Sequence, residues 1–137
     1  MSELINAPEL GKPVGFSHAA VAGDTIYLGG QIASDADGSI VGTTMAEQFD
    51  KAAANLVTAL RAAGGEPDDL VSVQVFVTSV AEYRDALSDL GAIWRRHFGR
   101  RYPAMGLFGV RELFEPDAKI ELMGVAVLSS PESHLLP

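Results

Sequence analysis

The chain has 137 residues, a length suited to a single domain spanning 1–137 and too short for two of ordinary size. With 47% hydrophobic and 20% charged residues it can build a core, which excludes a chain disordered throughout. Eighteen acidic against ten basic side chains leave a net charge of −8, so the average surface repels phosphate backbones and anionic bilayers, and neither nucleic acid nor membrane is expected as a partner.

No cysteine is present, which removes disulfides, thiolate nucleophiles and cysteine-based metal sites from consideration. The first twelve residues carry Glu3 and Glu9 and lack the basic start and apolar run of a signal peptide. No stretch approaches about 18 uninterrupted apolar residues. The expectation is a soluble, cytoplasmic protein with its core over about 14–128 and a loose tail over 129–137.

In chain order, residues 15–28 form two short runs split by Gly23 and Asp24, the pattern of a β-hairpin. The turn formers of 34–39 predict a loop, with Ile40 and Val41 resuming extended structure. Met45, Phe49, Ala52, Leu56, Leu60 and Ala63 then recur at intervals of three and four, which stacks them on one helical face. Thr44 and Glu47 have the spacing of a capping box, and Gly64-Gly65 supplies an exit.

Val71, Val73, Val75 and Val77 alternate with Ser72, Gln74 and Phe76 in a strand with two usable faces, expected to be central. Ser79 and Glu82 repeat the capping-box spacing ahead of the stripe Tyr83, Leu87, Leu90, Trp94, Phe98, which predicts one second helix ending before Gly99. Residues 104–110 and 119–128 read as strands around a loop at Glu115-Pro116-Asp117. The resulting fold class is α+β, a mixed sheet with two helices on one face. Because the strands carry apolar residues on both faces, the bare face predicts a homo-oligomer with any pocket lying between subunits.

Most local motifs have plain readings. Asp35-Ala36-Asp37-Gly38-Ser39 lacks the downstream glutamate of a calcium loop and reads as a turn. Gly29-Gly30-Gln31 follows a strand but carries no phosphate-loop fingerprint, and implies close backbone packing or a pocket wall offering amide donors. His18, His97 and His134 have no metal-ligand spacing. The basic cluster Arg95, Arg96, Arg100 and Arg101 complements a helix C-terminus and nearby carboxylates better than it suits RNA.

Glu121 is the most informative ionisable residue, because strand alternation sets it on a face with Met123, Val125 and Val127, where desolvation raises a carboxyl pKa. Either a cation pairs with it structurally or it serves a pocket as proton donor, acceptor or water-orienting group; the sequence leaves both open.

Several spaced motifs carry a resemblance: Gly15-Phe16-Ser17-His18-Ala19, Gly29-Gly30-Gln31-Ile32, Gln48 with Asn55-Leu56, Val75-Phe76-Val77, Pro103-Ala104, and Ile120-Glu121 leading into Gly124-Val125-Ala126. Over roughly 15–128 the chain resembles the RidA family, also called the YjgF/YER057c/UK114 family. The resemblance implies a chorismate-mutase-like subunit assembled as a homotrimer, with clefts at the subunit interfaces that hydrolyse enamines or imines without metal or organic cofactor. In such clefts an arginine after Pro-Ala holds the substrate carboxylate and a last-strand glutamate positions water or relays a proton.

The chain keeps that glutamate as Glu121 and has Met105 at the arginine position. Phe16 stands where a cleft tyrosine is frequent, Gly29 where a serine is, and Leu87 where an asparagine is. Each change removes a hydrogen-bonding group, and a thioether cannot imitate a bidentate guanidinium grip on carboxylate. The expectation is therefore a RidA-like deaminase for a neutral or hydrophobic small molecule rather than small 2-imino acids. Glu121 would be catalytic, with Phe16, Gly29, Gly30, Gln31, Leu87, Met105 and Leu107 binding the substrate. The competing class is a non-catalytic trimer that binds a small molecule or a protein partner, while a ribonuclease role fits the acidic composition poorly.

Overall fold

The computed structural model describes residues 2–129. The expected loose tail falls, from Ser130 onward and with His134, outside the described residues. Nine regular elements follow one another: β1 Glu3–Ile5, β2 Ala19–Ala22, β3 Thr25–Gln31, α1 Met45–Ala62, β4 Leu70–Val77, α2 Val80–Asp85, α3 Leu87–Phe98, β5 Ala104–Gly109 and β6 Ile120–Val127. The strands form one six-stranded sheet in the order β1-β2-β3-β6-β4-β5. Only β4 and β5 run parallel, so the sheet is mixed and the fold is α+β, as the element order predicts.

The hairpin turns at Gly23, whose φ of +62° belongs to the left-handed region that glycine enters without strain. Helix α1 opens on a complete capping box: the Glu47 N–H donates to the Thr44 hydroxyl at 3.1 Å, and the Glu47 carboxylate accepts the Thr44 N–H at 3.0 Å. Its predicted stripe is buried, with Phe49 2% exposed and Ala52, Leu56 and Leu60 fully covered. This face lies on Val73, Val75 and Val77 of β4, Ile120, Leu122 and Ala126 of β6, and Ile26 and Leu28 of β3.

The expected second helix is two helices. The chain breaks at Ala86, which has φ −97° and ψ 5°, separating α2 from α3. The apolar stripe is continuous, so periodicity alone could not show the break; the two pieces are held by different partners. Ser79 caps α2 by accepting the Glu82 N–H, but the Glu82 carboxylate does not return to the cap and instead accepts from Lys119 Nζ at 2.7 Å. Leu90, Trp94 and Phe98 of α3 are buried with the α1 stripe.

The mixed polar start of the chain also joins the fold, because Glu3–Ile5 pairs with β2 as an edge strand and Ala7 is 1% exposed. So short a strand is held by backbone pairing, which leaves no side-chain pattern to read. Opposite the helices, no element among the described residues covers the sheet. Tyr27, Phe108, Met123 and Val127 lie 36 to 54% exposed there, and the rings of Phe76 and Phe108 stack with centroids 5.5 Å apart. No helix among the described residues is long and apolar enough to cross a membrane.

Candidate active site

Strand register fixes the position of Glu121. It pairs with Phe76, while its neighbours Ile120 and Leu122 pair with the buried Val77 and Val75. Its side chain therefore leaves the sheet on the face away from the helices, the one it shares with Met123, Val125 and Val127.

Beside it, β3 bulges. Leu28 pairs with Gly124 and Gln31 with Leu122, so one extra residue is accommodated around Gly29 and Gly30. A Cβ on Gly30 would overlap Oε2 of Glu121, and a Cβ on Gly29 would stand 2.8 Å from the Ser17 carbonyl oxygen. The two glycines let the hairpin backbone and the carboxylate come together.

The Glu121 carboxylate is half-buried, and desolvation pushes its pKa above the ordinary 4.5. Among the described residues no cation pairs with it, so the structural ion pair left open by the sequence is not present. It faces a cavity of about 510 Å³ that Phe16, Gly29, Gly30 and Gln31 also line. Among the described residues of one chain, no lysine or arginine lines that cavity.

Sequence reasoning missed the rest of the wall. Leu10 and Val14 line it from the N-terminal arm, and Phe114 and Glu115 from the loop before β6. The arm is tied down by His18: the Ala7 N–H donates to His18 Nδ1 at 3.0 Å, and the His18 N–H donates to Asn6 Oδ1 at 2.9 Å. Burial holds the imidazole below its ordinary pKa of 6.5, and an Nδ1 that accepts leaves the proton of the neutral ring on Nε2.

Two buried amides of α1, two turns apart, fix the loops on either side. Asn55 donates to the carbonyls of Ile32 and Ser34, and Gln48 donates to those of Gly42 and Asp117 while accepting the Lys119 N–H. The spacing of Gln48 and Asn55 within an otherwise apolar stripe was the available signal.

Three expected contact residues do not join this cavity within one chain. Leu87 and Met105 line a separate cavity of about 180 Å³ with Tyr83, Trp94 and Tyr102. Met105 and Leu107 pair with Val73 and Val75, which sets them on the helix side of the sheet, opposite the face of Glu121. Leu107 lines neither cavity.

Two of the arginines near the end of α3 are engaged elsewhere. Arg96 pairs with Asp50 at 2.7 Å, with His97 on the same carboxylate oxygen, and Arg101 donates to the carbonyls of Asp68 and Leu70. Arg100 lines neither cavity. The described residues hold no group of three or more side chains able to bind a metal ion.

Comparison with known proteins places this geometry in a family. The family model described as Endoribonuclease L-PSP matches residues 6–128. The chain is 32% identical over 136 residues to the RutC family protein UK114 of Drosophila melanogaster, covering 96% of this chain and 93% of that protein. It is 27% identical over 127 residues to the 2-iminobutanoate/2-iminopropanoate deaminase of Dermatophagoides farinae, covering 91% and 95%. The crystal structure of a candidate endoribonuclease from Thermotoga maritima superposes with a TM-score of 0.84 at 30% identity, covering 95% of this chain and all of that one. With a family model spanning most of its length, a half-buried last-strand glutamate and the sheet of these relatives, the chain belongs to the RidA (YjgF/YER057c/UK114) family.

Proposed function

We propose that this protein is an imine or enamine deaminase for a neutral or hydrophobic small molecule, rather than for small 2-imino acids, and that it works as a cytoplasmic homotrimer. The observation that carries the reading is the half-buried Glu121 carboxylate, which has no cation partner and faces a cavity that no lysine or arginine lines. A carboxyl group with a raised pKa can take a proton from water as it attacks the C=N carbon and return it to the departing nitrogen. Backbone amides around Gly30 and Gln31 would polarise the substrate. The reaction needs no metal or organic cofactor.

The uncovered sheet face is the natural surface for the trimer, since burying Tyr27, Phe108 and Met123 against copies of themselves removes apolar area from water. In such an assembly the wall with Leu87, Met105 and Leu107 of one copy would complete the Glu121 cavity of another. With methionine in place of a guanidinium, nothing there grips a carboxylate bidentately. The name of the Dermatophagoides farinae relative supports the reaction class, and the residue at 105 separates the substrate.

The test generates imines in situ with oxidases from a panel of amines and amino acids and follows their decay. Acceleration by wild type that is lost in Glu121→Ala is the expected result, and absence of acceleration across the panel would mark a binding protein instead. Met105→Arg should create activity on 2-iminopropionate if Glu121 is placed for catalysis.

A further inference from the structure

The wall of the Glu121 cavity has a charge pattern that the proposed deaminase reading does not use. Glu115 lines it as well as Glu121, which brings two carboxylates to a cavity lined by no lysine or arginine. Lys12, near the lining residues Leu10 and Val14, is exposed and does not line it, and Lys119, two residues before Glu121, is paired with Glu82 instead. The one other ionisable group there, His18, is spent on the Ala7 N–H as a neutral acceptor.

Gln31 also lines the cavity, but it pairs with the buried Leu122, which sets its side chain on the helix side of the sheet and leaves the two carboxylates as the charged acceptors there.

Two phenyl rings stand at the same cavity. Phe16 is 59% exposed and Phe114 fully exposed, although an aromatic ring gains by leaving water. Rings beside carboxylates suit a cation with an apolar body, because the ring face and the carboxylate both attract positive charge.

We infer that the cavity selects a cationic ligand, the protonated imine of a primary amine bearing an aryl or branched alkyl group, with its nitrogen toward Glu121 and Glu115 and its apolar body against Phe16 and Phe114. This rests on the deaminase reading and narrows its substrate to a hydrophobic one that carries a positive charge on nitrogen. Water oxygen bonds to the imine carbon as Glu121 takes one of its protons, and the carboxylic acid returns that proton to nitrogen. The C–N bond then breaks with its electron pair on nitrogen, which also receives the hydroxyl proton, giving a carbonyl compound and ammonium. The reaction that must supply such a substrate is the two-electron oxidation of a primary amine.

The experiment measures binding of phenethylammonium, 3-phenylpropanol and 3-phenylpropanoate to the full chain by calorimetry. Phenethylammonium is expected to bind at least tenfold tighter than either, to weaken with added salt, and to weaken several-fold in Glu115→Gln and in Phe114→Ala. Equal or tighter binding of the alcohol or the carboxylate, or an ammonium affinity untouched by Glu115→Gln, overturns the inference. Rates on imines made from phenethylamine and from phenylalanine separate the two readings. Hydrolysis of the amino-acid imine alone keeps the deaminase and overturns the cation preference. A bound ammonium with neither imine hydrolysed overturns the deaminase and leaves the charge preference standing.

Discussion

Gly30 and Glu121 occupy the same small volume: the carboxylate lies where the Cβ of any other residue at position 30 would be. The obstacle is the tip of a flexible side chain rather than backbone, so Gly30→Ala can fold by pushing Glu121 aside. A catalytic group displaced by about 1 Å loses roughly 100-fold in rate. The expected outcome is a loss of that order in kcat with a melting temperature close to wild type. Gly29→Ala should behave in the opposite way, because its Cβ meets the Ser17 backbone carbonyl at 2.8 Å, and thermal melting should drop.

Burial raises the Glu121 pKa, so the folded state holds that proton more tightly than the unfolded state. Its contribution is fully present below the ordinary 4.5 and is lost as pH rises through the raised value. Glu121→Gln removes this slope. Urea unfolding should find the variant more stable than wild type near pH 8, with the gap closing as pH falls below 4.5. A gap that does not change with pH would contradict the desolvated carboxyl.

His18 has the opposite sign of shift. Its pKa is lowered, so its contribution is present above the ordinary 6.5 and is lost as pH falls from there through the lowered value. Protonation would place a hydrogen on Nδ1, against the Ala7 N–H. Hydrogen exchange at the Ala7 amide should therefore accelerate below pH 6.5 beyond its intrinsic rate, and His18→Phe should lose that pH dependence.

The buried Gln48 side chain makes three partly buried hydrogen bonds that bind α1 to Gly42 and to the entry of β6. Gln48→Leu strands two carbonyls and one N–H, which costs roughly 2–4 kcal/mol at the usual penalty for unsatisfied buried groups. Denaturant midpoints measure it, and a loss under about 1 kcal/mol would mean that the loops relax to find other partners.

On the uncovered face, Phe108 stacks on Phe76 with 48% of its surface exposed. If the protein is the proposed trimer, Phe108→Asp should shift its sedimentation coefficient toward that of a monomer with the circular dichroism spectrum retained. Imine hydrolysis should fall with it, because a single chain keeps Met105 and Glu121 in separate cavities.

Legibility varied with the kind of signal. The stripe of α1, its capping box and the β6 alternation that singles out Glu121 each lie within one element, and each is found where the pattern puts it. The break at Ala86 was hidden because one continuous stripe serves two helices held by different partners. β1 was hidden because three residues paired through backbone leave no pattern. Phe114 and Glu115 sit in a loop without periodicity, so only their position beside the cavity marks them.

Composition, charge and periodicity by themselves determined the α+β class, its apolar faces and a carboxylate committed to one of them, because these depend on side chains repeating along a single element. Only the tertiary structure decided that no cation among the described residues pairs with the carboxylate, that a bulged glycine makes room for it, and that Met105 faces away from it. Those facts depend on register between strands far apart in sequence, where shifting the pairing by one residue would turn every side chain to the other face.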